Sequence, residues 1–166
     1  MTLIMHNKIV INTGPIVALV AGLGSLDVLH NLYDEVYVTK EVAIELLIDG
    51  LDRFAAKEFE EAEFLIRIEK SLIISPLLRN MLDTGEASVI QYALDNKLPL
   101  VCIDESAGRR IARLNELKLT GSIGIILKAK SKGYITEVKP VLNRMLKHGI
   151  FISSKIINFA LKEANE

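Results

Sequence analysis

The apolar positions of this chain follow two spacings in turn, and their alternation outlines a fold. Short solid runs occur at Ile9-Val10-Ile11, Val36-Tyr37-Val38 and Leu100-Val101-Cys102-Ile103. Unbroken runs of this length suit a strand covered on both faces, as in a parallel sheet. Between them, apolar residues recur at steps of three and four, the period of a helix. The stretch from Thr84 to Glu105 holds both patterns. From Glu86 the positions one turn on (Val89, Ile90) and two turns on (Ala93, Leu94) are all apolar, and Glu86 heads that stripe. The run from Leu100 then stops at Asp104.

Taken in order, Lys8 to Ile11 is a strand stopped by Asn12-Thr13-Gly14-Pro15. Pro15 suits the first turn of a helix, where its missing N–H is no loss, and that helix runs to about Gly22. Ser25 caps a second helix carrying Leu26, Leu29 and Leu32. Val36 to Val38 is a strand, Lys40 to Ile48 a helix stopped at Asp49-Gly50, and about Asp52 to Glu63 has helical character. Phe64 to Ile68 alternates as an edge strand, and Pro76 to Leu82 is a short helix. Ala107 to Leu117 is helical with Ile111 and Leu114 inward. Leu119-Thr120 forms a last strand, and Ser122, Val138 and Ser154 open three further helices. Strands alternating with helices predict an α/β fold, a parallel sheet flanked on both sides. With no linker or repeat, residues 1–166 form one domain.

Composition narrows the chemistry. Half of the 166 residues are hydrophobic and a quarter charged, which is globular. No apolar run approaches the roughly 20 residues of a membrane span, and the first residues lack the pattern of a secretory signal. A cytoplasmic protein is expected. The single cysteine, Cys102, excludes disulfides and Cys-based zinc sites, and His6, His30 and His148 are too scattered for a histidine metal site. A net charge of -1 excludes a protein coated in positive charge but permits a local basic patch.

Polar residues at strand ends and on apolar helix faces carry the candidate chemistry. Asn12 and Asp104 end strands; Glu45 sits one turn beyond Val42; Glu86 lies on its stripe, with Asp83 one turn before. Oxygen donors without Cys or His suit a hard cation such as Mg²⁺ or Mn²⁺, which can activate water and clamp a phosphate. Each residue also has a plainer role. Asp83 and Glu86 fit a capping box, Glu45 shares a face with Glu41, Asp104 can cap the next helix, and Asn12 can serve its own turn. Spacing alone leaves both sets open. Arg109, Arg110 and Arg113 follow Asp104, and Lys128, Lys130 and Lys132 end a later helix. They suit either a groove tracking a nucleic-acid backbone or ordinary helix termini. The chain has no dinucleotide fingerprint, phosphate loop or GxSxG elbow.

The segments IVINTGPIVAL, VTKEVAIELL, LDTGEASVIQYALDNKLPLVCIDESAGRRIA and KLTGSIGIILKAKSKGYI resemble, in order, the motifs of the PIN-domain superfamily. The likeness is greatest to a branch of small prokaryotic proteins. The resemblance implies a three-layer domain with a five-stranded parallel sheet, and a Mg²⁺- or Mn²⁺-dependent ribonuclease acting on single-stranded RNA. It also implies kinship with the toxins of toxin–antitoxin pairs, hence a small antitoxin partner and a homodimer. The helices from about residue 138 would then pack on the core or at the dimer interface. Carried over by position, the family's four acidic positions fall on Asn12, Glu45, Glu86 and Asp104, and an assisting hydroxyl falls near Thr13. Arg109 and Arg110 are the candidates for the RNA backbone. Asn12 departs from the pattern: an amide oxygen can still ligate a cation, but one negative charge is missing. A catalytically weakened module that binds nucleic acid, or a protein partner, is the alternative.

Overall fold

The computed structural model describes residues 7–48 and 53–166. Within them the order is β1 (Lys8–Ile11), α1 (Thr13–Leu23), α2 (Asp27–Leu32), β2 (Glu35–Val38), α3 (Lys40–Ile48), α4 (Arg53–Glu61) and β3 (Ile66–Arg67). Then follow α5 (Pro76–Met81), α6 (Thr84–Asp95), β4 (Leu100–Cys102), α7 (Ser106–Leu114), β5 (Lys118–Thr120), α8 (Ser122–Ser131), α9 (Lys139–Lys147) and α10 (Ser154–Glu163).

The five strands form one parallel sheet in the order β3-β2-β1-β4-β5. Its centre is β1, where Ile9, Val10 and Ile11 are fully buried, as their unbroken apolar run requires. The chain grows outward from β1 through β2 to β3, then crosses back to place β4 on the other side. Right-handed crossovers in the two directions send their helices to opposite faces. The carboxyl ends of β1 and β4 therefore part at a crevice, the place where open α/β sheets bind ligands. Register fixes the two ends side by side: Ile11 pairs with Cys102, and the Asn12 N–H donates to the Cys102 carbonyl at 3.0 Å.

Helix α6 buries the stripe that its sequence announces. Val89, Ile90 and Ala93 are wholly buried, and only Leu94, at the far end, is partly exposed. Helix α3 packs against α6, tied by a buried hydrogen bond between Thr39 and Ser88 (Oγ1 to Oγ, 2.7 Å). Thr39 Oγ1 also accepts from the Val42 N–H, closing the first turn of α3.

Two local expectations need amendment. Leu114 is 71% exposed rather than inward. The buried stripe of α7 runs Gly108, Ile111, Ala112, and Leu114 lies off it at the helix end. Helix α2 starts two residues after Ser25, whose Oγ still accepts the Asp27 N–H. The stop at Asp49-Gly50 and the start at Asp52 lie outside the described residues.

Candidate metal centre

Four segments far apart in sequence deliver polar groups to the crevice. After β1 the chain turns into α1 at Asn12, which is 6% exposed; its Oδ1 has no hydrogen-bond partner. The next residue, Thr13, donates its hydroxyl to Glu45 Oε2 at 2.5 Å. The other Glu45 oxygen, Oε1, accepts the Gly85 N–H at 3.0 Å. Glu45 thus bridges the start of α1 and the start of α6, and is no solvated surface acid. Its helix neighbour Glu41 has a separate task, accepting the Leu72 N–H at 2.9 Å.

At the head of α6, Asp83 is the N-cap, accepting the Glu86 N–H at 2.8 Å. That is half of a capping box. The return bond is not made, because the Glu86 side chain turns inward instead. Glu86 is only 2% exposed, and its Oε1 lacks a partner. Two glycines make room here. A Cβ on Gly108 would meet Ile103 Cγ2 at 2.8 Å and stand 3.3 Å from the Glu86 carboxylate, and one on Gly85 would meet the Glu45 carboxylate at 2.5 Å. Gly85 is a space kept clear for an acid, and Gly108 one shared by the core and Glu86.

Carboxylate oxygens of Asp83, Glu86 and Glu105 all lie within 4.8 Å of one another. Burial and this company push the Glu86 carboxyl up to about 8. Desolvation contributes most, followed by a hydrogen bond with Glu105 and the charges of Asp83, Glu105 and Glu45. Every charged neighbour acting on Glu86 is an acid.

Of the four positions expected from the sequence, Glu86 is in this group, Glu45 flanks it through Gly85, and Asn12 sits at the adjoining strand end. Asp104 stands outside it. Its Oδ1 accepts the Ser122 N–H at 2.7 Å, so it caps α8 rather than α7. Its carboxyl is raised from the ordinary value by desolvation, against the lowering effects of Ser122 and Arg109. The acid that does reach Glu86 is the next residue, Glu105, which sequence reasoning did not single out. Its only signal was a second acid beside Asp104.

The basic residues divide similarly. Arg109 is half-buried, donating Nη1 to the Ile103 carbonyl at 2.8 Å beside Asp104, whereas Arg110 is exposed. Lys130 is engaged by the Ala164 carbonyl and Glu166, and Lys128 lies over the Tyr33 ring at 4.5 Å. Those two lysines serve the fold.

The donor set fits a hard divalent cation. It is entirely oxygen, two of its buried oxygens are orphaned, and the charged groups acting on buried Glu86 are all acids. No helix among the described residues is long and apolar enough to cross a membrane. A comparison with curated proteins returned no match. Residues 8–166 match DUF3368, a family described as a PIN domain, and with nearly the whole chain inside that match the protein belongs to the PIN-domain superfamily.

Proposed function

We propose that this protein is a Mg²⁺- or Mn²⁺-dependent endoribonuclease that hydrolyses phosphodiester bonds of single-stranded RNA. PIN domains are generally nucleases and use divalent metals. The observation that carries the reading for this chain is Glu86, a core carboxylate with an orphaned oxygen and only acids for charged neighbours. A buried acid whose ionisation is opposed by all its charged neighbours points to a site where something positive is held.

In this reading Asp83, Glu86 and Glu105 hold the cation, and Asn12 Oδ1 offers a neutral oxygen. Glu45, oriented by the Thr13 hydroxyl and the Gly85 N–H, lies beside them and receives the proton of an attacking water, directly or through a second water. The bound ion supplies Lewis acidity toward water and a phosphate oxygen. Asp104 holds the start of α8 in place. Arg110 meets the RNA backbone from the exposed side of α7, and Arg109 lines the approach.

The deciding experiment is cleavage of a single-stranded RNA with Mn²⁺ and with EDTA. Wild type cleaves with the metal only, and Glu86→Gln lowers the rate roughly a hundredfold or more. Equal rates for the two proteins would defeat the reading. A second reading, nucleic-acid binding without cleavage, is favoured by one observation, the amide at Asn12. It predicts salt-sensitive RNA binding with no product under any metal. Kinship with toxins adds a homodimer and a small antitoxin protein as proposed partners, checked by light scattering and by co-purification with the product of an adjacent short reading frame.

A further inference from the structure

A cavity of about 520 Å³ is walled by α7, β5, α8 and α10, and its lining includes Asp104 and Ser106, the two neighbours in sequence of Glu105 in the acid group. Its lining mixes two chemistries. Asp104, Ser106 and Arg109 are polar or charged. Leu119, Ile123, Ile156 and Phe159 are apolar. Phe159 and Ile156 are 55% and 44% exposed, although they sit in a helix whose Ala160 is fully buried. The α10 helix thus sets Ala160, with Ile157 and Leu161 partly buried, against the core, while Phe159 lines the cavity.

We propose that this cavity is the subsite for the nucleotide that flanks the scissile phosphate, its base packed against Phe159 and its ribose-phosphate lying toward Ser106 and Arg109. The inference rests on the ribonuclease reading and adds to it the place where the substrate strand is gripped. Size admits a nucleotide: sites for small ligands run to about 300–1,000 Å³, and this cavity lies within that range. Polarity agrees: a nucleotide is anionic at one end and flat and apolar at the other. The Asp104 carboxylate in the lining is already engaged by the Ser122 N–H at 2.7 Å, with the Arg109 guanidinium acting on it. Stacking on an aromatic ring is tolerant of base identity, so the subsite grips a strand without selecting a sequence.

The test is fluorescence anisotropy with a labelled single-stranded oligouridylate of eight nucleotides, in EDTA so that binding is read without cleavage. Phe159→Ala weakens binding roughly tenfold, the usual scale for one stacked base, and Phe159→Trp binds as wild type does. An octamer of abasic ribose-phosphate binds wild type and Phe159→Ala alike. Because Phe159 is half exposed, the melting temperature of Phe159→Ala stays within a few degrees of wild type, which separates lost contact from lost fold. Undiminished binding of the oligouridylate by Phe159→Ala overturns the proposal and gives this face to a protein partner, while metal-dependent cleavage sensitive to Glu86→Gln would leave the nuclease reading standing. Absence of binding by wild type as well, with no cleavage of longer RNA, removes both.

Discussion

Glu45 and Gly85 are fitted to each other: the Gly85 N–H donates to Glu45 Oε1 at 3.0 Å, and a methyl group on residue 85 would stand 2.5 Å from Oε2. Gly85→Ala therefore drives the Glu45 carboxylate aside. The carboxylate is the end of a flexible chain, and alanine is favoured over glycine in a helix by about 0.5–1 kcal/mol. The variant is expected to melt at or slightly above the wild-type temperature while cleaving RNA at least about tenfold more slowly. Calorimetric melting beside a rate measurement checks the split. Stability and activity falling together would mean that Gly85 serves packing alone.

Two adjacent acids should have separable effects. Glu105→Gln removes a member of the acid group and is expected to weaken Mn²⁺ binding by roughly 10- to 100-fold in titration calorimetry. Asp104→Ala uncaps α8, costing about 0.5–2 kcal/mol in urea denaturation, and leaves the metal affinity within a factor of a few. The opposite ranking would make Asp104 the ligand.

Acidity gives a third handle. Glu86 ordinarily titrates near 4.5 and is pushed to about 8 in the folded chain. Between those values the folded state holds the extra proton, so without metal stability is greatest at the acid end and falls as pH rises through the window. Asp104, also raised, acts in the same direction. In EDTA the melting temperature is expected to drop between pH 5.5 and 8, and Glu86→Gln flattens most of that slope. A bound cation favours the ionised carboxylates, so the rise in melting temperature on adding Mn²⁺ grows over the same interval. Melting in EDTA that rose with pH in both proteins would show that Glu86 carries no such burden.

Asn12→Asp supplies the missing charge at the end of β1. Without metal it crowds another carboxylate into a buried place and lowers the melting temperature. With Mn²⁺ it tightens binding by on the order of tenfold, since affinity at oxygen sites follows ligand charge, and raises the cleavage rate. A variant that binds metal no better than wild type would show that Asn12 lies outside the coordination sphere.

The order and kind of the elements were legible because hydrophobic period and burial agree along this chain. The strand Lys8–Ile11 and the starts of the helices at Lys40 and Ser154 fall where the hydrophobic pattern placed them. The burial of Glu86 could be read from a charge placed on an apolar stripe. Choosing between Asp104 and Glu105 could not. The strand ends at Cys102 and the chain is irregular until Ser106, so the two-residue alternation that assigns faces no longer applies where the acids occur. Leu114 failed for a related reason, since a helix that stops early leaves its last apolar residue facing water. The outward ring of Phe159 was equally hidden, because an amphipathic helix does not reveal how much of its apolar side its neighbours cover.

The acid group draws on residues 83, 86 and 105, and its flank on residues 12, 13 and 45. None of these segments can gather the set alone, and β4, which positions Glu105, must insert beside β1 first. A growing polypeptide therefore has no cation trap until about two thirds of its length has left the ribosome and the middle of the sheet has closed. On the proposed function, metal uptake would report closure of the middle of the sheet, and a chain interrupted before that point would cleave no RNA.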